Sequence, residues 1–154
     1  MSPTPPFHTN KRLALATYVK LMRAANSARN VAAHNLGESG LTLTQFAVLE
    51  ALYHLGPMSL SDLAQKVLTT GGNLTMVAGN LEKQGLAKRQ RSPEDGRVQV
   101  VVLTARGKAL IRNLFPQHAA ALVEFMAALS PEEQKTLGEL CRKLGRQTTL
   151  PDSE

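Results

Sequence analysis

Three observations place this 154-residue chain among mainly α folds that carry one small β-hairpin. Apolar residues recur at helical spacing along most of its length. A single stretch, Leu86–Leu103, changes to a strand pattern around the turn Ser92-Pro93-Glu94-Asp95-Gly96. Basic charge gathers on and beside that turn. At 43% hydrophobic the chain can bury a core, and its length suits one domain. The longest apolar runs, such as Ala119–Val123, are far short of a membrane span. The start Ser2-Pro3-Thr4-Pro5-Pro6 does not read as a signal peptide, and one cysteine excludes an internal disulfide. A soluble, cytoplasmic protein without a membrane partner is expected.

Residues 1–9 are proline-rich and read as a loose tail. From Asn10 to Leu36, Leu15, Val19, Met22, Ala25 and Ala32-Ala33 recur near helical spacing, and Gly37 and Gly40 end the pattern. Such a helix exceeds what a small core needs, so its surplus apolar face calls for a partner. Thr42 and Gln45 have the spacing of a capping box, opening a helix to about His54 with Phe46, Leu49 and Leu52-Tyr53 inward. Gly56-Pro57 stops it. Ser59 caps a short helix through Val67, with Asp62 in the favourable first turn. Thr69-Thr70-Gly71-Gly72 reads as a turn.

The helix that follows, about Gly72–Gln84, buries Leu74, Val77, Ala78 and Leu81 at i, i+3, i+4 and i+7. Its other face carries Asn73, Thr75, Met76, Gly79, Asn80 and Lys83, with hardly any acid pointing outward. An ordinary surface helix favours Glu–Lys pairs there. Leu86–Arg91 and Val98–Leu103 then form the two strands of the hairpin, with Arg97 just past its tip. Thr104 caps a long helical section that Pro116 should kink. Ser130-Pro131-Glu132-Glu133 restarts a helix with serine at N-cap, proline at N1 and glutamate at N3. Leu137, Leu140-Cys141 and Leu144 line it to about Gly145, and 147–154 are expected to lack structure.

Charge is uneven along the chain. Residues 83–112 hold Lys83, Lys88, Arg89, Arg91, Arg97, Arg106, Lys108 and Arg112 against only Glu94 and Asp95. That local +6 equals the net charge of the whole chain. Taken singly, Asn73 and Thr75 read equally well as cap and solvated surface, and Arg97 as an ordinary exposed arginine. The order is harder to reach by accident: two helices joined by a tight turn, the second polar-faced, then a basic hairpin. It describes a winged helix-turn-helix. A B-form major groove admits one α-helix, and asparagine and threonine match its base edges and methyl groups. A wing arginine suits the negative potential of the neighbouring minor groove.

The sequence resembles the MarR family of winged-helix regulators over about residues 12–146. The resemblance rests on Leu41-Thr42-Leu43-Thr44-Gln45-Phe46-Ala47-Val48-Leu49, on Gly71-Gly72-Asn73-Leu74-Thr75 and on Leu81-Glu82-Lys83-Gln84-Gly85-Leu86. It rests most on Asp95-Gly96-Arg97 leading through Val101-Val102-Leu103-Thr104-Ala105-Arg106-Gly107. It implies a single domain over 1–154, with a DNA-binding lobe at 42–103 and dimerisation helices at 10–36 and 105–146. It further implies a homodimer on a pseudo-palindromic duplex, usually as a repressor, with DNA affinity altered by a small aromatic effector or by oxidation. Transferred by position, Asn73 and Thr75 start the groove-facing helix, Met76 and Asn80 lie on or beside that face, and Thr69 and Thr70 lie near phosphates. Arg97 becomes the wing-tip arginine with Asp95 positioning it, and Lys88, Arg89 and Arg91 support on the backbone. Gly79 stands where relatives usually carry aspartate, and Gly96 where a second wing arginine is common.

Tyr18, Met22, Tyr53 and His54 are candidate liners of an effector pocket, though each reads more readily as core or interface. No cysteine lies in the first helix region, and Cys141 is expected to be buried and inert on its apolar stripe. His8, His34, His54 and His118 are scattered, so neither a metal site nor a cofactor is expected. No nucleophile elbow or phosphate loop appears, which leaves no catalytic residue to name. The alternative to DNA binding is a winged helix that serves only protein interaction.

Overall fold

The computed structural model describes residues 6–67 and 71–146, and for 6–9 and 71–72 the backbone alone. The expectations for residues 1–5, for Thr69 and Thr70 and for 147–154 lie outside the described residues. Pro6–His34 forms α1, Leu43–Leu55 α2, Leu60–Lys66 α3 and Gly71–Lys83 α4. Ala105–Met126 forms α5 and Pro131–Gly145 α6. Met58–Ser59 (β1), Ala87–Arg91 (β2) and Gln99–Leu103 (β3) make an antiparallel sheet in the order β1-β3-β2.

Local chemistry sets most boundaries. Thr42 Oγ1 accepts from the Gln45 amide at 3.2 Å, and Gln45 Oε1 accepts from the Thr42 amide at 2.9 Å. That reciprocal box satisfies two orphan donors and explains why Gln45 can be buried. Ser130 and Glu133 form the same box at the start of α6, and Ser59 Oγ caps α3 by accepting from the Asp62 amide. Gly56 ends α2 with φ +84°, a conformation that an L side chain rarely adopts. Gln134 of α6 donates to the carbonyls of Met126 and Leu129, both at 3.0 Å, which ties α6 to the end of α5.

The core lies under the lobe built from α2, α3, α4 and the sheet. Phe46, Val48, Leu49, Leu63, Leu74, Ala78, Leu81 and Val101 are all but inaccessible there, with Ile111 of α5 closing one side. His118 of α5 packs its ring against Phe46 with centroids 4.3 Å apart, and its buried Nδ1 has no hydrogen-bond partner among the described residues. Outside this lobe the chain is lean. At 1.5 Å per residue, α1 reaches about 44 Å, yet Ala32 is its only buried residue among those described. No residue of α6 is buried.

Several expectations need correction. The described part of the tail expected over 1–9, from Pro6 onward, is helical. Gly71, expected in the turn, already belongs to α4, one residue ahead of the start expected at Gly72. By contrast, Pro116 lies inside α5 as the sequence implied, at an exposed position with helix on both sides. The hairpin has a third strand, β1, paired through Met58 with Val101 and Ser59 with Val100. Cys141 is exposed, not buried. It lies with Leu137, Leu140 and Leu144 in an apolar groove that α6 forms with Leu21 and Ala24 of α1, open among the described residues.

Candidate nucleic-acid interface

α4 turns its apolar residues Leu74, Val77, Ala78 and Leu81 into the core, so the remaining face is presented outward. Asn73, Thr75 and Lys83 are exposed on it, Gly79 and Asn80 half-buried. Met76 is 61% exposed, an apolar side chain held out in water on an otherwise small, polar surface. α3 packs behind α4, in the helix-turn-helix arrangement that frees the second helix for a groove.

The C-terminal end of α4 is fastened in several places. Gly85, at φ +69°, donates to the Glu82 carbonyl at 2.9 Å, and the Leu86 amide donates to the Leu81 carbonyl at 2.9 Å. This is a Schellman closure, with Leu81 and Leu86 both in the core as its apolar contact. The start of α5 then grips the same turn. Thr104 Oγ1 donates to the Gly85 carbonyl at 2.7 Å, the Thr104 amide to the Leu86 carbonyl at 3.1 Å, and Arg106 Nη1 to the Gln84 carbonyl at 3.0 Å. Gly107 approaches so closely that a Cβ there would run into the Leu86 carbonyl oxygen. The Leu-Thr-x-Arg-Gly run of residues 103–107 is therefore a set of hydrogen-bond donors and a clearance for the end of α4.

In the wing, β3 is the central strand, with Val100, Val101 and Val102 buried, while β2 is exposed beyond Ala87. Pairs run from Ala87–Leu103 to Arg91–Gln99. Side chains alternate across a strand, so Arg89 and Arg91 share the face of Ala87 and Lys88 lies on the other. At the tip, Asp95 Oδ1 accepts from the Arg97 amide at 3.0 Å, and the Arg97 Nε stands 3.9 Å from the same oxygen. The carboxylate thus shapes the backbone of the turn by an Asx-type bond. The Arg97 side chain remains 96% exposed. Ser92 Oγ and the Ser92–Val98 backbone bond of 2.8 Å close the turn from its base.

Arg89 is held differently from the other wing cations. Its amide, Nε and Nη2 all donate to the Glu82 carboxylate, at 2.7, 3.0 and 2.8 Å. The Arg89 side-chain hydrogen bond holds the Glu82 carboxyl below its ordinary range, and Glu82 in turn raises Arg89. Seven residues separate the two across a helix end and a strand start, and neither periodicity nor charge counting pairs them.

The four candidate effector residues divide between α1 and the end of α2. Tyr53 and His54 meet edge to face at 5.2 Å, and His54 meets Phe115 at 4.7 Å. Tyr18 and Met22 are exposed on α1. An apolar cleft of about 580 Å³ is lined by Val31 and His34 of α1, by Asn35 just beyond it, and by Ala121, Glu124 and Phe125 of α5. His34 and Asn35 also border a second cleft that reaches Asn113 and Gln117. Among the described residues no group of three or more His, Cys, Asp or Glu could hold a metal, and no helix is long and apolar enough to cross a membrane.

Comparison with known proteins points one way. The MarR family profile matches residues 41–98. The HTH-type transcriptional regulator MhqR of Bacillus subtilis is 36% identical over 137 residues, 89% of this chain and 93% of that protein. Among solved structures, Bordetella bronchiseptica BpsR is 27% identical with a TM-score of 0.75, over 84% of this chain and 98% of that one. Its structure is described as showing regulation of DNA binding by 6-hydroxynicotinic acid. Streptomyces coelicolor Sco3205, solved in complex with DNA, is 25% identical with a TM-score of 0.78, over 99% of this chain and 96% of that one.

Proposed function

This chain belongs to the MarR family of transcriptional regulators, and on that premise we propose that it is a cytoplasmic repressor binding a pseudo-palindromic DNA duplex as a homodimer. The observation that carries the reading is α4 with its apolar side sealed into the core and Asn73, Thr75 and Met76 exposed, beside a wing tipped by Arg97. In this reading Asn73 and Thr75 meet base edges, Met76 supplies apolar contact to a thymine methyl or sugar, and Asn80 borders the same face. Arg97, its backbone set by Asp95, enters the adjacent minor groove, and Lys88 and Arg91 meet phosphates. Thr69 and Thr70 extend the phosphate contacts before α4.

The second copy is the natural cover for the apolar side chains that α1 and α6 leave in water. Leu13, Leu15, Tyr18, Val19 and Met22 on α1 and Leu137, Leu140 and Leu144 on α6 are all exposed in the single chain. A patch of that extent marks an interface. Twofold pairing of α1, α5 and α6 would present two α4 helices to successive major grooves. A small aromatic effector fits the α1–α5 cleft better than the scattered set Tyr18, Met22, Tyr53 and His54. The cleft volume lies in the range of ligand pockets, and His34, Asn35 and Glu124 offer polar groups at its wall. An effector acts only by binding one spacing of the two lobes better than the other.

Gel shifts on the DNA flanking the coding region test the central claim. With about eight phosphate contacts, the log–log salt slope should lie near −7. Failure to bind any flanking duplex in preference to random DNA would overturn it.

A further inference from the structure

Glu82 is the one carboxylate that α4 carries, and two effects disfavour it there. It sits in the last turn of a helix, where the macrodipole prefers cations. On the proposed reading it also stands beside a polyanion. Its side chain is spoken for: both oxygens are taken by Arg89, which contributes a backbone and two guanidinium donors. One turn earlier, Gly79 presents bare backbone to the same guanidinium, since a Cβ there would stand 3.9 Å from Arg89 Nη2. The Arg89 guanidinium therefore lies against the last turns of α4, reaching back from β2.

We propose that Glu82 and Arg89 form a positioning pair that pins the wing to the groove-reading helix. Arg89 serves as the pin and not as a phosphate ligand. The pair fixes the angle between α4 and the β2–β3 hairpin, so that Asn73 and Arg97 reach adjacent grooves of one duplex together. Losing it lets the hairpin swing, which weakens simultaneous engagement and hence discrimination. The inference rests on the DNA-binding reading above.

The sign of a charge removal separates this from simple electrostatics. Glu82→Gln takes a negative charge from the DNA-facing side, which by Coulomb attraction alone should tighten binding to any duplex. On the pinning account its operator affinity falls by about tenfold while random-duplex affinity holds or rises. Arg89→Lys keeps the charge and loses the fork, so it should lower operator preference by a similar factor. The exchange Glu82→Arg with Arg89→Glu keeps the net charge and re-forms the side-chain pair without the amide bond, so its preference should exceed that of either single change, Glu82→Arg or Arg89→Glu. Thermal unfolding and sedimentation on each variant separate a swinging wing from a lost fold or a lost dimer. If Glu82→Gln tightens both operator and random binding and steepens the salt slope by about one, Arg89 is a phosphate ligand and the pin is overturned. Unchanged discrimination in Glu82→Gln or Arg89→Lys overturns it too. If the unaltered protein binds no duplex, the DNA-binding reading fails and takes the pin with it.

Discussion

Replacing Gly107 with alanine adds one methyl group at the point where α5 crosses the end of α4. The new Cβ would meet the Leu86 carbonyl oxygen head-on, with the Leu86 carbonyl carbon at 3.0 Å and Leu103 Cδ2 at 3.3 Å. Two of these atoms are backbone within a Schellman closure and cannot swing aside, so α5 must lift. Lifting stretches three hydrogen bonds at once, from Thr104 Oγ1, the Thr104 amide and Arg106 Nη1 to consecutive carbonyls of residues 84–86. At about 1 kcal/mol net for each, that is about 3 kcal/mol. Against it stands a helix-propensity gain of alanine over glycine of at most ~1 kcal/mol. The expected balance is a destabilisation of about 2–3 kcal/mol, or about 4–12 °C in Tm for a domain of this size. Gly79→Ala is the matched control. It too lies inside a helix, but its Cβ meets only Arg89 Nη2 at 3.9 Å, an ordinary contact. That variant should gain up to ~1 kcal/mol. Urea and thermal unfolding at one fixed protein concentration measure both. A Gly107→Ala protein as stable as Gly79→Ala would refute the clearance argument.

Other outcomes follow from the same geometry. Arg97→Ala should weaken binding on all duplexes and lower the magnitude of the salt slope by about one, whereas Asn73→Ala should relax discrimination at one base pair by about 1–3 kcal/mol and spare random DNA; competition gel shifts distinguish the two. The Tm difference between the unaltered protein and Glu82→Gln should depend on pH. Because the folded-state pKa of Glu82 is lowered from 4.5, the bridge contributes fully above that value and is lost as pH falls through the folded pKa. Its size should stay below about 1 kcal/mol, since both partners are roughly a third exposed. A difference that grows on acidification would contradict this assignment. Leu140→Asp, which places a charge in the apolar α1–α6 groove, should shift sedimentation toward the monomer and leave the lobe folded.

What was legible in the sequence is what local rules govern. The capping boxes at Thr42–Gln45 and Ser130–Glu133 are chemistry among residues three apart, and both are present. The inward face of α4 follows from its 3.6-residue period. The family and the mainly α fold with a hairpin wing were legible for the same reason, because the hairpin and the Asp95–Arg97 turn are contiguous. β1 was not, since two residues have no period and owe their conformation to β3, forty residues away. Glu82–Arg89 was missed because helix and strand periodicities do not carry across the Gly85 turn. Cys141 was misplaced because an apolar stripe predicts that something will cover it, not that its own chain will. His118 looked like one of four scattered histidines, and only the packing of α5 on α2 brings it to Phe46.

The fastening of α4 at residues 84–86 separates two tasks along one helix. Its closing turn is committed to the scaffold, while Asn73, Thr75 and Met76 near its opening contribute nothing to the core. On the proposed reading, operator preference can drift or be redesigned at that exposed opening, as at Met76, like a bit changed in a fixed chuck. Any alteration at Gly85, Thr104 or Gly107 would instead disturb recognition of every operator alike.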